Sequence, residues 1–193
     1  MSNVKFDLNE FIRESRAALV NPKSYFSALK LQGGITEPLI KALIYGAIAG
    51  FFMLVWGLLN IGSAETRMFG GAVGIMSLIG YIIASGIGLF IGAVILLVIS
   101  SLCRGNSDFE ANTRVTATVM VLMPVSTFFG FASGISHSLG LLISLLINLY
   151  GVWMIYNGLI ESLKARPSTV RIISYVLVAL FILTTIIGLG ADK

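Results

Sequence analysis

Apolar residues fall into five long blocks, at about 38–61, 72–102, 112–134, 138–160 and 170–190, separated by short polar interruptions and preceded by a mixed region over residues 1–36. A helix needs about 20 apolar residues to cross roughly 30 Å of hydrocarbon, so each block predicts one transmembrane helix. The expected fold class is all-α: a polytopic membrane protein whose five transmembrane helices, in a domain over 37–193, follow cytoplasmic amphipathic helices over 1–36. The second block is long for one crossing, since as a helix it would run roughly 46 Å at 1.5 Å per residue. Two spans of half that length would be too short. One long, tilted or partly interfacial helix entering near Gly70-Gly71 is expected, with a short re-entrant piece before Ser77 as the alternative. Pro124 lies within the third block, where it removes a backbone donor and frees the carbonyl of Met120. A kink is expected there, compensated by Ser126, Thr127 or a neighbouring helix.

The first 36 residues repeat at helical spacing. Asp7 and Glu10 read as a cap with its reciprocal partner, and Ser107 with Glu110 reads the same way after a turn at Gly105-Asn106. Leu8, Phe11, Ile12 and Leu19 share one helical face, with Arg13, Glu14 and Arg16 largely off it. Asn21-Pro22 restarts the pattern, because Asn caps well and Pro is tolerated at the first helical position. A second short helix, with Tyr25, Phe26 and Leu29 apolar and Lys23 and Lys30 basic, then lies in the headgroup layer and ends at Gly33-Gly34. Phe11, Arg13, Arg16, Lys23, Tyr25, Phe26 and Lys30 are therefore the candidate contacts to the membrane surface or to a protein partner. The admixture of Asp7, Glu10 and Glu14 weakens a purely lipid-binding reading.

Composition fixes the solvent. At 56% hydrophobic and 11% charged residues, the chain departs from the soluble average of roughly 45–50% apolar and about 25% charged. Charges collect between the blocks, as expected when one at the bilayer centre costs roughly 2.5–3.5 kcal/mol. The net charge of +4 thus belongs to loops and implies no nucleic-acid partner. With the N-terminus inside, the cytoplasmic side holds Lys5, Arg13, Arg16, Lys23, Lys30, Lys41, Arg104, Arg114, Lys164, Arg166 and Arg171, against Arg67 and Lys193 opposite. The positive-inside rule then gives a cytoplasmic N-terminus and an outside C-terminus. No apolar core of signal-peptide type occurs in the first 30 residues, so no cleaved targeting peptide is expected.

Candidate chemistry is sparse. Gly86-x-Gly88-x-x-x-Gly92 resembles a phosphate loop, but a dinucleotide site needs a preceding strand, a hydrated helix start and an acid about 20 residues on. Here the run before Gly86 is apolar from Ile75 and the next acid is Asp108. Gly80, Ala84, Gly88 and Gly92 instead form a small-residue stripe that lets helices approach closely in lipid; its partner is open between another span and a second copy of the chain in a homo-oligomer. Gly134-Ile135-Ser136-His137 resembles an intramembrane protease motif, yet adjacent helical residues point roughly 100° apart and no second histidine exists to act as base. One histidine and one cysteine give no metal cluster or disulfide, leaving acylation of Cys103 as its only special chemistry. No catalytic residue, metal or cofactor is expected, and the chain reads as a non-enzyme. The most polar span is the fourth. Asn148, Tyr150, Tyr156, Asn157 and Glu161 lie on it, and of these Asn148, Tyr156, Asn157 and Glu161 are a candidate polar path.

Asn21-Pro22-Lys23-Ser24-Tyr25-Phe26 before the first span, Gly105-Asn106-Ser107-Asp108-Phe109-Glu110 leading into Arg114-Val115 and Pro124, and Leu149–Leu159 in the fourth span occur in the order found in the Yip1 domain. The chain resembles that five-span family over roughly residues 20 to 190. In eukaryotes the resemblance implies vesicle traffic between endoplasmic reticulum and Golgi, contact with Rab-type GTPases and membrane shaping. The Asp-Leu-Tyr-Gly-Pro stretch that precedes the first span there is missing here, so the chain looks like a bacterial or archaeal member in the cell (inner) membrane. Prokaryotic members have no settled role; the role expected here is non-enzymatic, organising membrane or recruiting a cytosolic or membrane protein, with the N-terminal helices on the cytoplasmic face carrying the interaction. The alternative is a small transporter or channel built on the fourth span.

Overall fold

The computed structural model describes residues 7–61 and 72–190; Lys5, Arg67, Gly70-Gly71 and Lys193 lie outside them. In chain order the elements are α1 (Leu8–Val20), α2 (Pro22–Ala28), α3 (Thr36–Leu58), α4 (Ala72–Leu102), α5 (Phe109–Val119), α6 (Leu122–Phe128), a 3-10 turn (Phe129–Phe131), α7 (Ala132–Ile135), α8 (His137–Asn157), a π-helical turn (Gly158–Ser162) and α9 (Pro167–Gly190). The described residues contain no strand. Five helical stretches are long and apolar enough to cross a membrane: Thr36–Leu58, Leu78–Leu102, Phe109–Ile135, His137–Ser162 and Pro167–Gly190. They coincide with the five apolar blocks. The second block is one unbroken helix of 31 residues from Ala72, so the stretch just before Ser77 is part of α4.

The third span bends where Pro124 requires it. Helix α5 ends at Val119 and α6 begins at Leu122. The carbonyl of Met120 accepts instead from the Met123 N–H at 2.9 Å. The expected compensation by a hydroxyl is not seen at Met120: Thr127 donates to the carbonyls of Met123 and Pro124 at 3.1 and 3.2 Å. The Thr127 carbonyl in turn accepts from Trp56 Nε1 at 2.9 Å, which ties the bend to α3.

Helix α3 is central, packing on α4 along one side and on α5 and α6 along another, while α8 lies against α5 and α6 and α9 packs on α8 at the edge. The close α3–α4 seam is made by small residues of α3, with Ala42, Gly46, Ala49 and Gly50 all buried. A Cβ on Gly46 would stand 2.7 Å from the Tyr81 carbonyl oxygen, and one on Gly50 would stand 2.9 Å from Leu78 Cα. Helix α4 answers with Ser85 against Gly46 and with Leu89, buried in one cluster with Ala42. The small-residue stripe expected on α4 faces elsewhere: Gly80 and Gly88 look into open space, Ala84 is exposed, and only Gly92 has a tight neighbour, the Thr116 methyl at 2.9 Å. Among the described residues, therefore, no other span of this chain packs on Gly80, Ala84 and Gly88. Helix α9 buries almost nothing, leaving Ile172, Val176, Leu183 and Ile187 exposed, as suits a helix whose solvent is hydrocarbon.

Candidate functional site: the docked N-terminal helices

The sequence around Asn21 builds the attachment of α1 and α2 to the bundle. Asn21 caps α2, its side-chain oxygen accepting from the Ser24 N–H at 3.2 Å, and Pro22 fills the first position of the helix, where a missing N–H costs nothing. That start rotates Phe26 into the interior, where it is fully buried beside Gly158, a residue whose Cβ would stand 2.6 Å from a Val115 methyl and 3.5 Å from the Phe26 ring. The Phe26 carbonyl accepts from Ser162 Oγ at 2.6 Å. Upstream, the Leu19 carbonyl accepts from the Tyr150 hydroxyl. Ser15 Oγ lies 2.7 Å from the Tyr45 hydroxyl, and the Phe11 and Tyr45 rings pack with centroids 5.1 Å apart.

A chain of charges closes the attachment. Lys41 Nζ is 2.6 Å from Glu14 of α1 and 2.7 Å from Glu37. Arg114 reaches Glu37 at 3.0 Å and Glu110 at 3.3 Å, and donates to the Gly34 carbonyl at 2.9 Å. Glu110 also accepts from the Gly34 N–H at 2.6 Å. The turn that Arg114 grips needs glycine, because Gly33 and Gly34 have φ of 134° and 89°, a region that side chains disfavour. A Cβ on Gly33 would also come within 2.8 Å of Arg114 Nη2. Both expected capping boxes resolve differently. Asp7 caps α1, but Glu10 pairs with Arg13 at 3.4 Å. Helix α5 is capped by Asp108, which accepts from the Ala111 N–H at 2.8 Å, and Glu110 is spent on Gly34 and Arg114.

Between α1, α2 and the start of α3 lies a cleft of about 450 Å³, bordered by Asp7, Glu10, Phe11, Tyr25, Lys30 and Lys41 among others. Burial pushes the Tyr25 phenol above its ordinary value of 10.0. The carboxylates that meet Lys41 and Arg114 form ion pairs with them, so the cleft is an ordered, mostly compensated surface.

The residues expected to contact membrane or partner separate into two groups. Phe11 and Phe26 are buried in the chain's own core and Tyr25 is half-buried, whereas Arg13, Arg16, Lys23 and Lys30 are exposed. Lys23 makes a loose pair with Glu161 at 4.0 Å. Outward with the arginines are Leu8, Ile12 and Val20. The pairing of Lys41 and Arg114 with Glu37 escaped the sequence reading, which counted the two cations only for topology and family pattern, although cations placed just inside apolar blocks with acids four residues away signal buried pairing. Of the fourth-span residues, Asn148 is set apart from Asn157. Asn157 is buried and donates to the Trp153 carbonyl of its own helix at 2.8 Å, Asn148 is on the far side 3.5 Å from Ser144, and Tyr156 and Glu161 are half-buried. Nine residues at roughly 100° each set Asn148 about 180° from Asn157. Ser136 and His137 open α8 at a turn. Cys103 is fully buried and its thiol is pushed up by that burial, which leaves it closed to acylation in the folded chain.

The family model described as the Yip1 domain matches residues 16–189. That range takes in all five spans and the Asn21-Pro22 start of α2. No curated protein and no solved structure matches the chain. With nearly its whole length covered by the family model, the chain belongs to the Yip1 domain family.

Proposed function

We propose that this protein is a non-enzymatic organiser in the membrane, with its N-terminus cytoplasmic, and that it recruits a partner protein through the outer face of α1. One observation carries the reading. Helix α1 is fixed on its inner side by Phe11, Ala18, Ser15 and Glu14, while Leu8, Ile12, Arg13, Arg16 and Val20 stay exposed on its outer side. Apolar side chains flanked by arginines on a rigid helix make a compact docking surface with little ordering cost on binding. Membership of a family without bond-making chemistry supports the non-enzymatic part, and the placement of Asn148 opposite Asn157 weighs against a transport path on the fourth span.

The test is photo-crosslinking from a diazirine residue at Ile12 in native membranes. Discrete protein adducts are expected, and they should disappear when Leu8→Gln and Arg16→Glu are introduced together. Adducts with lipid alone would overturn partner recruitment through this face.

A further inference from the structure

Two connections at the charged end of the bundle are stitched together. Between α4 and α5, the Cys103 carbonyl accepts from the Arg166 N–H at 2.8 Å, and the Asn106 N–H donates to the Leu163 carbonyl at 2.7 Å. The two segments cross antiparallel at a point where only glycine fits: a Cβ on Gly105 would meet Ala165 Cβ at 2.8 Å and its Cα at 3.0 Å. The Asn106 carbonyl is held by Ser100 Oγ at 2.8 Å and Asn112 Nδ2 at 3.0 Å. Cys103, Leu163 and Ala165 are buried beneath.

This stitched base projects Arg104, Lys164 and Arg166 outward, all exposed. Arg104 and Lys164 sit in the left-handed region at φ 57° and 54°, uncommon for side chains of their kind. The turn just before Lys164 is π-helical, a rare geometry that recurs at functional sites. None of the three cations forms an ion pair among the described residues. The acids nearest in the chain are engaged elsewhere, Asp108 capping α5 and Glu161 beside Lys23. Charge compensation of helix ends accounts for Arg104 after α4 and Lys164 after α8. It does not account for Arg166, which immediately precedes α9, where a cation opposes the helix dipole.

Beyond the cations, and beside the exposed Arg171, both helices present apolar side chains. Val98 and Leu102 are exposed on the last turns of α4, and Ile172 and Tyr175 on the first turns of α9. A free anion has no use for those flanks; an amphiphile with an anionic head does. We infer that Arg104, Lys164 and Arg166 form a headgroup site for an anionic phospholipid whose acyl chains run along Val98, Leu102, Ile172 and Tyr175. This site is separate from the outer face of α1.

The experiment uses the full chain in nanodiscs with mixed phosphatidylglycerol and phosphatidylcholine, and reads the lipid that stays bound by native mass spectrometry after release. Each cation near an anionic surface is worth about fivefold in binding, so R104Q/K164Q/R166Q should lower the preference for phosphatidylglycerol on the order of a hundredfold. Glycerol phosphate at millimolar concentration should not displace the retained lipid; if it does, the site is one for soluble phosphate and the lipid assignment is overturned. Wild-type protein provides a readout that does not depend on a variant folding: a photoactivatable phosphatidylglycerol should label peptides spanning 98–106 and 164–176. Label confined to other peptides, or a triple variant that retains phosphatidylglycerol like wild type, would overturn the site.

Discussion

Arg114 stands one turn into the third span, almost fully buried, with two carboxylates and the Gly34 carbonyl around its guanidinium. Removing the guanidinium costs its charge-assisted hydrogen bonds, although the part-exposed Glu37 and Glu110 keep Lys41 and the Gly34 N–H as partners, so the loss is about 2–3 kcal/mol. Arg114→Ala should therefore lower stability by about that much in denaturant unfolding of the detergent-solubilised protein. Arg114→Lys should recover only part, because a point charge cannot serve Glu37, Glu110 and a carbonyl at once; full recovery would show that the fork geometry is dispensable. Phe26→Ala, by the same measurement, should cost about 3–5 kcal/mol as a large ring is deleted from a filled site. At this scale the sequence was legible in part. The Asn21-Pro22 start of α2 and the apolar side of Phe26 could be read, but periodicity gives a face without saying what covers it, and the cover turned out to be Val115 and Gly158. The capping boxes misread for a related reason. A local pattern assigns Glu110 to the nearest backbone donor, while the folded chain offers it Gly34, 76 residues away in sequence.

Helix pairing turns on which small residues meet a neighbour. The pattern Gly80, Ala84, Gly88, Gly92 was visible, and so in principle was Ala42, Gly46, Gly50 at the same spacing in α3. Spacing alone cannot choose between them, since both permit close approach. The structure uses the α3 set, because Gly46 and Gly50 have backbone atoms of α4 where a Cβ would go and Gly88 has none. Gly46→Leu and Gly50→Leu should each sharply lower the melting temperature in detergent, whereas Gly88→Leu should leave it within a few degrees of wild type. Equal effects at Gly46 and Gly88 would contradict the assigned seam. The docking of α2 carries its own signature in pH. Burial raises Tyr25 above 10.0, so the folded state holds that proton more tightly than the unfolded one. The associated stability is complete below pH 10.0 and declines as pH rises past it. Tyr25→Phe should flatten that alkaline decline in unfolding followed between about pH 8 and pH 11.

For the whole molecule, the number, order and approximate limits of the five spans followed from apolar block length against bilayer thickness, down to the single long α4. The relation of residues 1–36 to the bundle did not. An amphipathic helix reads the same whether its apolar side meets lipid or protein, and here Phe11, Ala18 and Phe26 go into the bundle while Leu8, Ile12 and Val20 face out. The N-terminal helices are thus built into the membrane domain as a fixed platform at its charged end. Cysteine accessibility measures this directly. In a Cys103→Ala background, Phe11→Cys and Ile12→Cys should be probed with a membrane-impermeant maleimide in inverted and right-side-out vesicles. Ile12→Cys should label rapidly in inverted vesicles only, and Phe11→Cys should be protected in both until the protein is unfolded. Equal labelling of the two positions in native membranes would contradict a docked N-terminal platform.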